Sequence, residues 1–393
     1  MRILHTADWH LGRTLEGRSR IEEQQQFMDE LVQIAESEKA DVILMAGDVY
    51  DTVNPPAVAE QLFYETMARL SDKGKRPIIA ISGNHDHPDR LAASSPLAND
   101  SRITLVGLPE NRMYSFKIEQ TDEMLNVCAL PYPSESRLKE LLSESEEEMA
   151  LRNEYDRWVG AYFERIAKQF DPSHVNVAMS HLYVAGSKES DSERPIHIGG
   201  AYTVAAETLP AAAQYVALGH LHRPQQVRRA KTMARYSGSP LCYSFSEAGQ
   251  TKSVTMVDVQ PGKEAAITEI PLSSGRPLVT WTAKGGLQEV HRLLDEGMYS
   301  NAWIDLSIHV KDALSIEEIQ RLRKAHSGII HIKPVFEEQL IQEGATTSSK
   351  LPIDELFKEF YRRQTGGASP DDSLLSLFLE LIEENEEEGS DAM

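Results

Sequence analysis

Five short blocks scattered along the chain gather residue types that hold divalent metal ions: Asp8-Trp9-His10, Gly47-Asp48, Gly83-Asn84-His85-Asp86, Ser180-His181 and Gly219-His220-Leu221-His222. Carboxylate, amide and imidazole ligands without thiolate suit Mn²⁺, Fe²⁺ or Zn²⁺ rather than a cysteine-based structural site. Asp8 and His10 are two positions apart, as are His220 and His222. At a strand end such a pair can turn toward one metal, and Asp48, with two oxygens, can bridge two. A pair of cations sharing a carboxylate is a device for attacking phosphate esters. Core histidines and helix-capping aspartates would not recur in five blocks of one pattern.

The elements that must position these blocks can be read from periodicity. Arg2–Thr6, Asp41–Ala46 and Pro77–Ile81 are short β-rich runs. Between them lie helical stretches, Ile21–Ser37 with Ile21, Phe27, Leu31 and Ile34, and Ala57–Ser71 with Leu62, Phe63, Met67 and Leu70. The order β-α-β-α-β implies parallel strands with right-handed crossovers, whose carboxyl-end loops gather into one crevice. Val175–Met179 and Tyr215–Leu218 read as two more strands, followed by His181 and His220. Every block therefore obeys one rule, strand and then ligand. An acidic, then amphipathic helical insertion is expected between Leu130 and Asp171, and Ala234–Ile270 reads as antiparallel strands completing the sheet on its second side.

A composition break falls at Leu272-Ser273-Ser274-Gly275-Arg276-Pro277, after which β-α-β-α-β restarts as a small α+β domain. Its strands are expected near Val279–Ala283, Trp303–Val310 and Gly328–Val335. His309, His326 and His331 lack acidic partners at ligand spacing there. Beyond a polar linker, two apolar helices are expected at roughly Pro352–Arg363 and Asp371–Glu384. A hairpin this apolar must bury its face on its own chain or on a partner. The expected division is 1–273 for the domain carrying the five blocks, 276–340 for the small domain, 341–350 for the linker, 351–384 for the helical hairpin and 385–393 for an acidic tail.

The chain has 393 residues, 41% of them apolar, and a mean hydropathy of −0.39, which describes a globular protein with a sizeable core. No apolar run is long enough to span a bilayer, and Met1–Thr6 leads straight into the first block, so a cytoplasmic protein is expected. Cys128 and Cys242 read as buried free thiols. The net charge of −21 argues against an evenly basic nucleic-acid binder, but acidic patches at Glu144–Glu148 and Glu383–Asp391 hold much of the excess. Arg223, Arg228 and Arg229, following a ligand pair in a stretch without acids, are candidates for a phosphate track.

The blocks resemble the five motifs of the calcineurin-like metallophosphoesterases: D-x-H, G-D, G-N-H-D, a single H, and G-H-x-H. A closer resemblance is to the SbcD nuclease subunits, bacterial relatives of the double-strand-break repair nuclease. It is carried by Asp8-Trp9-His10-Leu11-Gly12-Arg13, Ala46-Gly47-Asp48-Val49-Tyr50-Asp51, Ile81-Ser82-Gly83-Asn84-His85-Asp86 and Gly219-His220-Leu221-His222-Arg223-Pro224, with Ser192-Glu193-Arg194-Pro195 and Tyr236-Ser237-Gly238-Ser239-Pro240.

The resemblance implies a four-layer α/β/β/α metallophosphoesterase sandwich with a small α+β capping domain and a C-terminal helical hairpin. One metal would take Asp8, His10, Asp48 and His222; the other Asp48, Asn84, His181 and His220. His85 would face the scissile phosphate as general acid or phosphate stabiliser, oriented by Asp86, and Arg13 joins the substrate-binding candidates. Where some relatives carry a second assisting histidine after the bridging aspartate, this chain reads Asp48-Val49-Tyr50-Asp51-Thr52.

The implied activity is Mn²⁺-dependent 3′→5′ exonuclease and single-strand or hairpin endonuclease action on DNA in repair, replication and recombination, in the nucleoid. Mg²⁺, Fe²⁺ and Zn²⁺ are the other candidate ions. The implied partners are an SbcC-like SMC ATPase docked on 351–384 and a second copy of the chain, in a heterotetramer. The chain has no G-x-x-x-x-G-K-[ST] of its own, so ATP dependence would come from that partner. The same metals could serve a phosphatase or cyclic-nucleotide phosphodiesterase, and a non-catalytic scaffold is the reading from another class.

Overall fold

The computed structural model describes residues 1–133, 148–193, 202–336, 353–364, 370–371 and 374–379. The linker, the acidic tail, Arg194 and Pro195 lie outside the described residues. The chain divides into two units, 1–308 with 315–333, and 309–314 with 334–393.

Within the first unit, six strands form one sheet in the order Ala266–Pro271, Ser253–Asp258, Arg2–Thr6, Val42–Ala46, Ile78–Ile81, Ile103–Val106. The last four run parallel. Such strands are buried on both faces and so need apolar residues at consecutive positions. In Val42–Ala46, Val42, Leu44 and Ala46 face the second sheet, while Ile43 and Met45 pack beneath the helices with Phe27, Leu31, Phe63 and Met67.

The second sheet runs Gln225–Gln226, Met233–Tyr236, Tyr215–Gly219, Val175–His181, Glu123–Leu130, Tyr114–Ile118, with antiparallel strands at its two edges. Val127, Val175, Val177 and Ala217 meet the first sheet, and Cys128, Ala178, Val216 and Leu218 pack on Tyr155, Val159 and Phe163 of the helix Glu148–Ala167. The result is the four-layer α/β/β/α sandwich.

The stretch 234–270 departs from the expected antiparallel run. Met233–Tyr236 pairs parallel to Tyr215–Gly219 in the second sheet, whereas Ser253–Asp258 and Ala266–Pro271 form an antiparallel edge on the first. Apolar alternation identifies strands but does not say which sheet receives them. Cys242 is only partly buried, unlike Cys128, because it lies in the loop between these two destinations.

The three small-domain strands, Leu278–Ala283, Trp303–Val310 and Ile329–Phe336, form one sheet with helices Gly286–Asp295 and Ile316–Ala325. The second of these helices opens with a capping box between Ser315 and Glu318. In the second unit, the helix Ile353–Gln364 and a helical turn at 374–379 are described, with Phe357 stacked on Phe378 at 3.9 Å. No helix among the described residues is long and apolar enough to cross a membrane.

Candidate dimetal centre

The parallel strands of both sheets deliver their loops to one edge. Loops after Arg2–Thr6 and Val42–Ala46 zip together through Asp8 N to Gly47 O, His10 N to Asp48 O and Leu11 N to Val49 O, at 2.9–3.0 Å. Asp8, His10, Asp48 and His220 all have positive φ, at 55°, 46°, 51° and 104°. Such backbone persists only where its surroundings over-determine it, a condition met mainly at functional sites. Glycines provide the clearance. A Cβ on Gly83 would stand 2.0 Å from Asp48 Oδ1, and one on Gly219 1.9 Å from the Ala46 carbonyl oxygen.

All seven residues expected as ligands converge on this edge. His10 Nε2 and His222 Nε2 face each other at 2.9 Å, with Asp48 Oδ2 3.6 Å from His10 Nε2. Beside them, Asn84 Oδ1 is 2.9 Å from His181 Nε2 and 3.2 Å from His220 Nδ1, and Asp48 Oδ2 is 3.4 Å from His181 Nε2. Asp8 accepts the His220 amide at Oδ1, 2.8 Å away, while its buried Oδ2 has no partner.

Acceptors stand behind two of the rings: His181 Nδ1 is 3.0 Å from the Ala46 carbonyl, and His222 Nδ1 meets Ser192 Oγ, itself bonded to Glu247, while the Asp51 carboxylate lies 3.5 Å from His10 Nδ1. Such partners put the proton on Nδ1 and leave the Nε2 lone pair pointing inward. Lone pairs converging beside an unpartnered carboxylate oxygen fit a set of divalent cations, and a neutral cavity gives them no other use.

The electrostatics agree. Burial drives the His10 imidazole down to about 3 and His222 to about 4, and lowers His220 strongly, which favours the neutral ring in all three. Burial raises the Asp8 carboxyl well above the carboxylate range. Burial opposes both charges of the Asp48–His181 pair. Even so, His181, His85 and His10 hold Asp48 well below its usual range, while Asp48 and Asp8 push His181 up to about 9.

His85 and Asn84 are half-buried and form the open side. His85 lies in a group with His10 and Asp48 whose ligand atoms fall within 4.8 Å of one another. Its Nδ1 donates to the Asp51 carbonyl at 2.7 Å, which turns the other ring nitrogen away from that anchor. Asp86 does not take the orienting role expected of it. Its carboxylate accepts the amides of Gly83, Val49 and Tyr50 at 2.8, 3.1 and 2.9 Å, so it ties two ligand loops together.

The arginines separate. Arg13 sits at the rim, donating to the Ser192 carbonyl at 2.8 Å and lying 5.0 Å above the Tyr243 ring. Arg223 is exposed directly after His222. Arg228 and Arg229 lie at the far edge of the sheet. Gln225–Gln226 runs antiparallel to Met233–Tyr236 and carries the chain back to the amino end of the parallel strands, where Thr232 Oγ1 donates to the Ala213 carbonyl. A phosphate track through these two residues is therefore not built here.

Several supports carry no signal in the sequence. Asp51, Ser192, Glu193, Glu247 and Lys252 brace His10 and His222; Glu193 accepts the His222 amide at 2.8 Å, and Lys252 donates to Glu247 and, at 2.9 Å, to the His222 carbonyl. Asp51, Ser192 and Glu193 belong to motifs of the resemblance, which gives them no role. In the small domain His331 does have an acidic partner. Asp305 on the neighbouring strand is 3.5 Å away, a cross-strand pairing that sequence spacing cannot reveal.

Residues 1–224 match the family model of the calcineurin-like phosphoesterases, and 274–365 match one described as the Type 5 capsule protein repressor C-terminal domain. The chain is 58% identical to the D subunit of nuclease SbcCD from Bacillus subtilis (strain 168), over 99% of both chains. It is 30% identical to the Staphylococcus epidermidis protein of the same name, over 93% of this chain and 94% of that one. Among solved structures, a dimetal phosphatase from Danio rerio aligns at 12% identity and a TM-score of 0.38, covering 68% of this chain and 98% of that one.

Proposed function

The chain belongs to the calcineurin-like phosphoesterases, among the D subunits of the SbcCD nucleases, and from that premise we propose that it hydrolyses DNA phosphodiesters at a centre of two divalent cations. The observation that carries this reading is the convergence of Asp8, His10, Asp48, Asn84, His181, His220 and His222 from five loops onto one edge. Asp8, His10, Asp48 and His222 would hold one ion, and Asp48, Asn84, His181 and His220 the other. Their oxygen and imidazole donors suit Mn²⁺, Fe²⁺ or Zn²⁺, and Mn²⁺ is the ion proposed. When bound, such a pair lowers the pKa of a coordinated water and neutralises charge developing on the phosphoryl oxygens.

The remaining chemistry belongs to the chain. His85, anchored through Nδ1–H by the Asp51 carbonyl, offers its other nitrogen to the open face, where the doubly protonated ring would hand its Nε2 proton to the leaving oxygen. Asp86 keeps that loop against the Asp48 loop. Arg13 and Arg223 line the approach and meet the phosphate backbone. Small-domain residues Asp305, His331 and Lys333 share a cleft of about 430 Å³ with Arg13, Ser192 and Tyr243, which supports a role for that domain in positioning duplex.

The DNA substrate and a partner C subunit are what the relatives' name supports. Finer features are proposed with them: 3′→5′ exonuclease and hairpin endonuclease action, an SMC-like ATPase docked on 351–384, and a homodimer. Exposed Val58 and Tyr64 on the helix Ala57–Leu70 offer a surface for the last.

The test is degradation of an end-labelled duplex by the purified chain with Mn²⁺, beside His85→Ala. The variant should lose about 10²-fold or more in turnover while binding the same metal. Equal loss of metal would make His85 a ligand instead. Turnover of a cyclic nucleotide far above that of DNA would replace the proposed substrate.

A further inference from the structure

The helix Ile21–Ser37 reaches the candidate centre and the small domain with consecutive side chains. Gln24, 1% exposed, donates from Nε2 to the His10 carbonyl at 2.9 Å and accepts the Gly12 amide at Oε1, 3.0 Å away. It grips both ends of the turn that carries the His10 ring, a turn that is left-handed at His10 and Gly12. Glu23, one residue earlier and also buried, forms a two-point pair with Arg20 at 2.5 and 2.8 Å. Glu23 also accepts Trp303 Nε1 at 2.9 Å and the Arg276 amide at 2.6 Å. Trp303 begins the central strand of the small sheet, and the Arg276 guanidinium lies 4.0 Å above its ring.

Neither Glu23 nor Gln24 can reach a reacting atom, so any effect on the reaction runs through position. Both side chains stand on the first turn of one rigid helix. A shift of Trp303 and Arg276 against Glu23 is therefore carried to the loop that Gln24 holds. We propose that Glu23 and Gln24 are a two-sided positioning element, in which the seating of the small domain on this helix sets where the His10 imidazole stands and hence how tightly the first ligand set holds its cation. The proposal rests on the dimetal reading above.

Isothermal titration of Mn²⁺ into the full chain without DNA tests it, because heat of binding does not depend on turnover. Gln24→Ala should weaken one of two sites about tenfold and leave the other unchanged, as loss of a ligand's supporting bond does. Gln24→Glu, which keeps the acceptor for Gly12 but sets a carboxylate oxygen against the His10 carbonyl, should weaken that site at least as much as Gln24→Ala. Trp303→Phe removes only the indole donor to Glu23 and keeps a ring under Arg276; it should weaken the same site about threefold.

Parent-like affinity in both Gln24 variants would show that the helix does not position His10. Parent-like affinity in Trp303→Phe, with a lowered unfolding midpoint, would reduce the Glu23 contact to an anchor and overturn the coupling. A parent chain that binds fewer than two ions would instead defeat the dimetal reading itself.

Discussion

His222 is held from behind by a carboxylate that is itself nearly inaccessible. Glu247 is fully buried and bonded to Ser192 and Lys252, whose ammonium is also buried. Removing one partner of such a pair strands the other charge out of water, at a cost of about 3–5 kcal/mol. Glu247→Ala is therefore expected to lower unfolding stability by that amount and to weaken Mn²⁺ binding about tenfold, read by chemical denaturation and calorimetry. The paired Glu247→Ala, Lys252→Met should recover much of the stability but not the metal affinity. Ligand-type residues were legible because each directly follows a strand. Their supports were not, because Asp51, Glu193 and Glu247 arrive from separate loops, and a single acid carries no local pattern.

Elements show the same division between what is local and what is not. The helix Ile21–Ser37 could be bounded from its apolar spacing alone, yet its acids have a purpose visible only in three dimensions. Glu30 accepts Ser273 N and Oγ and Ser274 N at 2.7–2.8 Å, fastening the segment expected as a simple composition break. Burial opposes ionisation of Glu30, but these serine donors hold its carboxyl below the usual value. A depressed folded pKa contributes stability that is full above the unfolded carboxyl value, about 4.3, and is lost as pH falls from there through the lower folded value. The unfolding midpoint of Glu30→Gln should therefore lie below the parent's at pH 7 and approach it only as pH falls well below 4; a constant gap would contradict the assignment. Close approach of strands is equally specific. In Gly219→Ala the new methyl would press on the Ala46 carbonyl between the two sheets, costing about 1–3 kcal/mol and displacing His220 from Asn84. Unchanged metal stoichiometry in that variant would argue against the assembly of the site from both sheets. The destination of strands is where sequence reading failed. Met233–Tyr236 and Ser253–Asp258 look alike in pattern and enter different sheets, because pairing depends on contacts between distant segments.

Across the whole molecule, net charge hides a local arrangement. Arg223 stands at the ligand edge, and Arg228 and Arg229 at the opposite edge. Arg223→Ala should reduce the slope of log affinity against log salt for duplex DNA by about one, whereas the double change Arg228→Ala, Arg229→Ala should leave it unaltered. Equal effects would restore the phosphate track that sequence proximity suggested. Whether two cations share Asp48 is decided by anomalous X-ray scattering from crystals grown with Mn²⁺. Two peaks about 3.5–4 Å apart, one on either side of the Asp48 carboxylate, are predicted. A single peak, or two that do not share Asp48, would contradict it.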